Sequence, residues 1–267
     1  MLFKYFRVSI FVQIIIATSM DKYGLIGHPL KHSFSQRFFF DKFEKEQTKA
    51  IYNNYDIPDI KDILQIIQET PDLKGFNVTI PYKEQIIQFL DQITPEAKAI
   101  GAVNVVKIER IGTQIKLIGY NSDIIGFRES IRPLIKPDIH RKALILGTGG
   151  ASKAICKALE ELNITHQYVS RSSSKNSITY TDLTKDIMDD YTLIINCTPL
   201  GTFPDIDNAP AIPYQYINKN HLLFDLVYNP EETKFLRLGK EQGATTKNGY
   251  EMLVLQALAS WEFWNSK

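Results

Sequence analysis

The residues with the clearest chemical potential begin at Gly147-Thr148-Gly149-Gly150. An apolar run at 143–146 precedes this turn. Ala151, Ala154, Ile155, Ala158, Leu159 and Leu162 follow it at the spacing of a helix packed on a sheet. A turn without side chains lets backbone approach a pyrophosphate, and the N–H groups at a helix start then bind the anion. Gly147, Gly149, Gly150 and Ala151 are therefore candidate nucleotide contacts. The third glycine of a G-x-G-x-x-G pattern would fall at Ser152, a residue still small enough for close packing. The competing reading is an ordinary strand–turn–helix unit.

The next apolar run, 167–169, ends in Ser170-Arg171-Ser172-Ser173-Ser174-Lys175. A site for NAD places an acid here to take the ribose 2′-hydroxyl, whereas cations and hydroxyls suit a 2′-phosphate. No acid is present, so Ser170, Arg171, Ser172 and Lys175 point to NADP; the alternative is a serine-rich surface loop. A further apolar run at 193–195 ends in Asn196-Cys197-Thr198. Loops at the carboxyl ends of strands line the ligand crevice of an open α/β sheet, which brings in Thr198.

Three other positions have both a chemical and a structural reading. Ser33 and Ser35 precede a helical pattern at 36–46. They are either a pair of hydroxyls aimed at a small anion or a helix cap with a neighbour. Lys83 stands at the start of a helical segment expected over 84–90, where the positive helix end disfavours a held proton and suits proton exchange. A solvated first-turn lysine is the plainer reading. Asp123 follows the polar turn Gly119-Tyr120-Asn121-Ser122 and by itself reads as a helix N-cap.

The chain has 267 residues, enough for two domains, and a net charge of +1, which gives no field for nucleic acid or an acidic membrane. Its two cysteines, Cys156 and Cys197, are far apart and in no metal-ligand spacing, as expected of a cytoplasmic protein without disulfides. Residues 1–19 carry two early cations and an apolar run at 8–17, weakly like a signal peptide and short for a membrane span. The expectation is that folding begins near Met20 and that 1–19 is an extension of doubtful status.

Periodicity supplies the elements that must position these groups. Strands are expected at 22–27, 51–55 and 76–80, alternating with helices at 36–46, 58–69 and 84–90. Phe39, Phe40 and Phe43 are expected on one buried helix face. Thr94-Pro95-Glu96 opens a helix ending near Gly101, and strands at 102–108 and 114–118 form a hairpin around Ile111-Gly112. A helix is expected over 126–135. The glycine-turn domain then shows about five strands, fewer than the six of a full doubly wound pair, and a final helix over 251–264. The fold class is α/β with two domains: a first α/β domain at 20–123 and a Rossmann-like domain at 124–247. The leftover helix in 248–267 is expected to return to the first domain.

The combination of these segments resembles the shikimate dehydrogenase family over nearly the whole chain from Lys22. The resemblance rests on Gly27-His28-Pro29 with His32-Ser33-Phe34-Ser35, on Gly75-Phe76-Asn77-Val78-Thr79-Ile80-Pro81-Tyr82-Lys83, and on Gly101-Ala102-Val103-Asn104. It continues through Gly119-Tyr120-Asn121-Ser122-Asp123, the glycine turn, Ser170-Arg171-Ser172, Asn196-Cys197-Thr198, Asp225 with Tyr228, and Asn248-Gly249 with Met252 and Gln256. It departs in four places. Gln36 stands where proline is usual, Val105 where threonine is common, Ser122 where threonine precedes the aspartate, and Ser170 where asparagine precedes the arginine.

The resemblance implies reversible, NADPH-dependent reduction of 3-dehydroshikimate to shikimate in aromatic amino-acid biosynthesis, in a cleft between a substrate domain and an NADP domain. Lys83 and Asp123 match the family's catalytic pair, with Lys83 protonating the new hydroxyl and Asp123 holding Lys83. Ser33 and Ser35 match the holders of the substrate carboxylate. Asn77, Thr79, Asn104, Tyr228 and Gln256 match positions around the ring hydroxyls and carboxylate, and Gly249 and Met252 match cofactor positions. The implied ligands are a small-molecule substrate and NADP, in a monomer or homodimer that binds no metal, nucleic acid or membrane. The alternatives are a quinate/shikimate dehydrogenase that also uses NAD, and a non-catalytic nucleotide-binding regulator.

Overall fold

The computed structural model describes residues 20–30 and 33–266. The expectations for 1–19, and the His32 of the first motif, lie outside the described residues. The chain divides into two compact units. One comprises the chain up to Ile93 with Val103–Gly119, the other Thr94–Ala102 with Tyr120–Lys267.

The first unit holds a mixed six-stranded sheet in the order β2-β1-β3-β5-β6-β4. Its strands are β1 (Asp21–Gly27), β2 (Ala50–Asp56), β3 (Leu73–Val78), β4 (Gln92–Ile93), β5 (Val105–Ile111) and β6 (Gln114–Tyr120). The β1 strand lies parallel to both β2 and β3, and β3 is antiparallel to β5. The connecting helices are α1 (Phe34–Glu46) and α2 (Asp62–Glu69). Phe39 and Phe43 are buried, while Phe40, expected beside them, is 63% exposed because two core-facing rings already fill that face. The helix expected over 84–90 is a 3-10 helix at Gln85–Phe89. A single tight turn has little dipole, which weakens the field argument for Lys83. The α2 helix begins at Asp62, since the segment 58–61 is turn and bend.

The second unit contains α3 (Pro95–Ile100), α4 (Asp123–Ile131), β7 (Lys142–Leu146), α5 (Gly150–Glu161), β8 (Thr165–Ser170), β9 (Ser177–Thr179), α6 (Lys185–Asp190), β10 (Leu193–Asn196), β11 (Leu222–Asp225), α7 (Lys234–Glu241), β12 (Thr245–Lys247) and α8 (Tyr250–Asn265). Its sheet order is β12-β11-β10-β7-β8-β9, and every pair is parallel. This is the doubly wound order 3-2-1-4-5-6 complete with six strands, not the five expected. The three-residue β9 strand is hidden in sequence by the serine-rich loop before it.

Strand alternation buries both faces of this sheet. Ala143, Ile145, Leu193 and Ile195 join Phe127 of α4, Ile155 of α5 and Met252 of α8 in one layer. Leu144, Leu146, Ile194 and Leu223 join Met188, Phe235 and Leu236 in the other. Phe127 meets Phe224 edge-on at 5.0 Å. The last helix groups with the second unit, in which Phe263 stacks on Tyr120 at 4.6 Å. There it lies against α4 so closely that a Cβ on Gly126 would stand 2.6 Å from the Met252 carbonyl.

Candidate active site

In the first unit the candidate residues sit at the carboxyl ends of β1 and β3 and at the start of α1. Ser33 is the N-cap of α1, its Oγ accepting from Gln36 N–H at 3.1 Å. Gln36 occupies the family's usual proline position, and a proline could not make this bond. The cap uses a lone pair of the hydroxyl, so the Ser33 proton is still available as a donor. The cap reading and the anion reading are therefore compatible. Ser35 is the second residue of α1 and hydrogen-bonds the Tyr52 hydroxyl.

Tyr52 joins two of these positions. Its hydroxyl donates to Asn77 Oδ1 at 2.8 Å, and Asn77 Nδ2 donates to the Asn104 carbonyl at 3.3 Å. The same carbonyl accepts Val78 N–H at 2.8 Å, closing β3 against the start of β5. Tyr52, Asn77 and Asn104 are all buried, and Phe39 stacks on the Tyr52 ring at 4.7 Å. Burial pushes the Tyr52 phenol far above its usual range, so it remains a neutral donor. Sequence reasoning missed Tyr52, because an inward aromatic on a strand carries no signal beyond core packing.

Thr79 follows β3, its N–H donating to the Ile26 carbonyl at 2.9 Å and its own carbonyl accepting from Tyr82 N–H at 2.9 Å. Lys83 lies in the turn before the 3-10 helix, half-buried, with its carbonyl accepting from Val103 N–H at 2.7 Å. That bond fixes the lysine backbone one residue from Asn104. Ser33, Ser35, Asn77, Thr79, Lys83 and Asn104 thus share the first unit. A hollow of about 450 Å³ on the same unit is lined by Asp91, Gln92, Ile111, Gln114, Ile115 and Lys116, none of them a candidate residue.

Asp123, Tyr228 and Gln256 belong to the second unit. Asp123 is the first residue of α4, one position past the N-cap Ser122, so its expected capping role is not the one it has. It is 6% exposed, and its N–H donates to Asn121 Oδ1 at 3.0 Å. Asn121 is anchored in turn by its Nδ2 on the Ala102 carbonyl at 2.9 Å. Ser122 Oγ donates to Gln256 Oε1 at 3.2 Å, and Gln256 Nε2 donates to the Leu253 carbonyl at 3.1 Å. The hydroxyl kept by the threonine-to-serine departure thus orients Gln256. Tyr228 is 37% exposed beyond β11, and desolvation raises its phenol.

The nucleotide candidates gather at the carboxyl ends of β7, β8 and β10. Gly147 has φ +97°, and a Cβ there would meet Thr198 Cγ2 at 2.9 Å, so glycine is required on both counts. Gly149 is the N-cap of α5 with no side-chain cap bond, and a Cβ there would meet nothing within 4 Å. This leaves an open helix start at Gly150 and Ala151. Ser152, at the third-glycine position, is buried and bonds the Gly149 carbonyl through Oγ at 2.7 Å. Arg171, Ser172 and Lys175 are exposed in the loop past β8, while the Ser170 hydroxyl is turned onto the Ser172 carbonyl. The open anion-binding helix start with exposed cations beyond the second strand fits a dinucleotide carrying a 2′-phosphate.

Asp225 holds two of these strand ends together. Asn196 Nδ2 donates to its Oδ1 at 2.9 Å, Val227 N–H to the same atom at 3.0 Å, and Thr233 Oγ1 to Oδ2 at 2.5 Å. Asn196 Oδ1 in turn accepts Thr198 Oγ1 at 2.6 Å. Desolvation raises the Asp225 carboxyl to about 6 against these bonds. Gly249 is the N-cap of α8, with its N–H on the Val227 carbonyl at 3.2 Å, and Met252 is buried in the sheet layer. Among the described residues no helix is long and apolar enough to cross a membrane.

Residues 25–106 match the model of the shikimate dehydrogenase substrate binding domain. The NADP⁺ shikimate dehydrogenase of Methanococcus aeolicus is 38% identical over 257 residues, covering 90% of this chain and 90% of that protein. The crystal structure of the Aquifex aeolicus shikimate dehydrogenase superposes with a TM-score of 0.81 at 32% identity, covering 93% of both chains. A Thermus thermophilus shikimate 5-dehydrogenase, solved with NADP(H) and shikimate, has a TM-score of 0.79 at 28% identity over 92% of this chain and 94% of that one.

Proposed function

The chain belongs to the shikimate dehydrogenase family, and from that premise we propose how its own residues carry out the family reaction. The protein is an NADP-dependent shikimate dehydrogenase, an oxidoreductase that reduces 3-dehydroshikimate to shikimate reversibly. The observation that carries this reading is the 38% identity, over 90% of both chains, to an NADP⁺ shikimate dehydrogenase.

The first unit is the substrate-binding domain and the second the NADP-binding domain. Ser33 donates its proton to the substrate carboxylate while keeping its cap bond, and Ser35 flanks it. Asn77, Thr79 and Asn104 hold ring hydroxyls, and the Tyr52 bond braces the Asn77 amide. Lys83 donates a proton to the carbonyl oxygen as it becomes a hydroxyl and stabilises the charge before transfer. Asp123 is the acidic member of the family's catalytic pair, and Tyr228 and Gln256 supply further substrate contacts.

NADPH, when bound, supplies the hydride. Gly147, Gly149, Gly150 and Ala151 would hold its pyrophosphate, Arg171, Ser172 and Lys175 its 2′-phosphate, with Ser170 bracing their loop. Thr198, Gly249 and Met252 would line the remainder. Both cysteines are free thiols, which supports a cytoplasmic location.

The test is the initial rate with shikimate and NADP⁺ or NAD⁺, repeated with quinate. Rapid turnover of shikimate with NADP⁺ alone is expected. Equal rates with both cofactors and with quinate would move the protein to dual-specificity quinate/shikimate dehydrogenases, and no rate with either would remove the assignment.

A further inference from the structure

We infer that Cys156, Glu160 and His166 form a binding site for one borderline-soft divalent ion of the Zn²⁺ type. Their donor atoms all lie within 4.8 Å of one another. His166 Nε2 is 2.9 Å from Cys156 Sγ, and Glu160 Oε1 is 3.8 Å from the same sulfur. Donors around a tetrahedral zinc stand roughly 3.5 Å apart, given bonds of about 2.0–2.3 Å. Small side-chain rotations therefore take the cluster as it stands to a coordinating one.

The fold explains why these three meet. Cys156 and Glu160 are i and i+4 on α5, hence on one helix face. His166 comes from the start of β8, the strand that follows that helix. The two cysteines alone show no ligand spacing because two of the three donors are not cysteines and one comes from a different element. The carboxylate is already aimed: Glu160 Oε2 takes Lys157 Nζ at 3.0 Å, which turns Oε1 toward the sulfur. The His166 ring stands edge-on to Tyr168 at 6.0 Å, which limits its rotation.

Thiolate, imidazole and carboxylate together are a zinc donor set, and three protein ligands leave a fourth position for water. Cys156 and His166 are half-buried and Glu160 is exposed, so an ion can enter from the glutamate side. None of the three is among the residues assigned to substrate or NADP. The site lies on the second half of α5, away from the glycine turn at its start, and an ion there would tie α5 to β8. Those are the elements that carry the pyrophosphate turn and the Arg171 loop.

The experiment titrates the full, tag-free chain with Zn²⁺ in the presence of a competing chelator, and in parallel with Co²⁺ followed by absorbance. Uptake of one equivalent is expected, with a thiolate-to-cobalt charge-transfer band in the near ultraviolet. Cys156→Ser should remove that band and weaken Zn²⁺ binding at least about tenfold. Glu160→Gln, at an exposed position where folding is not at stake, should weaken binding by a similar factor while the metal-free melting curve is unchanged. Absence of saturable uptake at micromolar protein would overturn the inference. So would uptake that Cys156→Ser and Glu160→Gln leave unaltered, because the ion would then sit elsewhere.

Discussion

The Tyr52 hydroxyl donates to Asn77 Oδ1 at 2.8 Å, and the chemistry around Asn77 allows no other direction for that bond. The Asn104 carbonyl can only accept, so the Asn77 Nδ2 that meets it at 3.3 Å must be the donor. The amide oxygen then faces Tyr52, whose proton is committed to it. Ser35, also bonded to Tyr52, must give its own proton to the phenol oxygen. A chain of one-way bonds thus runs from the start of α1 to the start of β5, its direction set by the Asn104 carbonyl.

Tyr52→Phe removes the middle link of that chain while keeping the ring stacked on Phe39. It leaves the buried Asn77 oxygen without this donor, at a cost of about 1–3 kcal/mol. The amide then keeps only its bond to the Asn104 carbonyl and is free to swing about it, which blurs the position of its N–H groups. A fall of about tenfold in kcat/KM for shikimate is expected, carried mostly by KM, with circular dichroism unchanged. Kinetics indistinguishable from wild type would show that Asn77 needs no such brace.

The two serines should separate experimentally. Ser33 caps α1 with a lone pair, and the proposed carboxylate contact uses its proton. Ser33→Ala should therefore raise KM for shikimate and cost about 1 kcal/mol of stability. Ser35 must withdraw its proton from Tyr52 before donating elsewhere, so Ser35→Ala should raise KM less. Steady-state kinetics and denaturant melts on both variants check this. A larger KM effect for Ser35→Ala would reverse the order of the two roles.

Much of this was legible in sequence because it is periodic or local. The glycine turn, the cap at Thr94 and the alternation of strands and helices depend on residues near in the chain. The misses have tertiary causes. The β9 strand has three residues and pairs only because β8 is already in place. Tyr52 and Asp225 act through partners 25 and 29 positions away, at Asn77 and Asn196. The segment after Lys83 has helical spacing, yet Val103 N–H bonds the Lys83 carbonyl just ahead of it, and only a 3-10 turn forms. Phe40 matches the helical stripe but faces water, since periodicity cannot say how wide a stripe the sheet can cover.

Lys83→Ala should cut kcat by about 10² or more and leave KM for shikimate nearly unchanged, since the proton is needed only as charge develops on oxygen. Lys83→Arg should not rescue turnover, because a guanidinium keeps its charge but gives up no proton. Pre-steady-state and steady-state rates on both variants test this, and unchanged turnover in either would remove Lys83 from proton transfer.

Arg171 is exposed beyond β8 with no acid in its loop. Arg171→Ala should weaken NADPH by about tenfold or more and leave NADH almost untouched, because only the former carries the 2′-phosphate. Fluorescence titration with both nucleotides reads the difference. Equal losses would mean that Arg171 supports the loop and does not contact the phosphate.

Asp225 offers a prediction in pH. Its folded-state carboxyl is raised to about 6, from an ordinary value of 3.8, by desolvation. Between those values the folded chain holds the proton and the unfolded chain does not. This group's contribution is therefore most favourable below about pH 4 and is lost as pH rises through about 6. The full loss corresponds to about 3 kcal/mol. Asp225→Asn cannot ionise, yet its oxygen can still accept from Asn196 and Val227, and the Thr233 hydroxyl can rotate to accept from the new amide. Urea unfolding of both proteins from pH 4 to pH 7 should show the variant gaining on wild type across that window and level above it. Parallel curves would mean that Asp225 is ionised in the fold throughout, and that its bonds outweigh its burial.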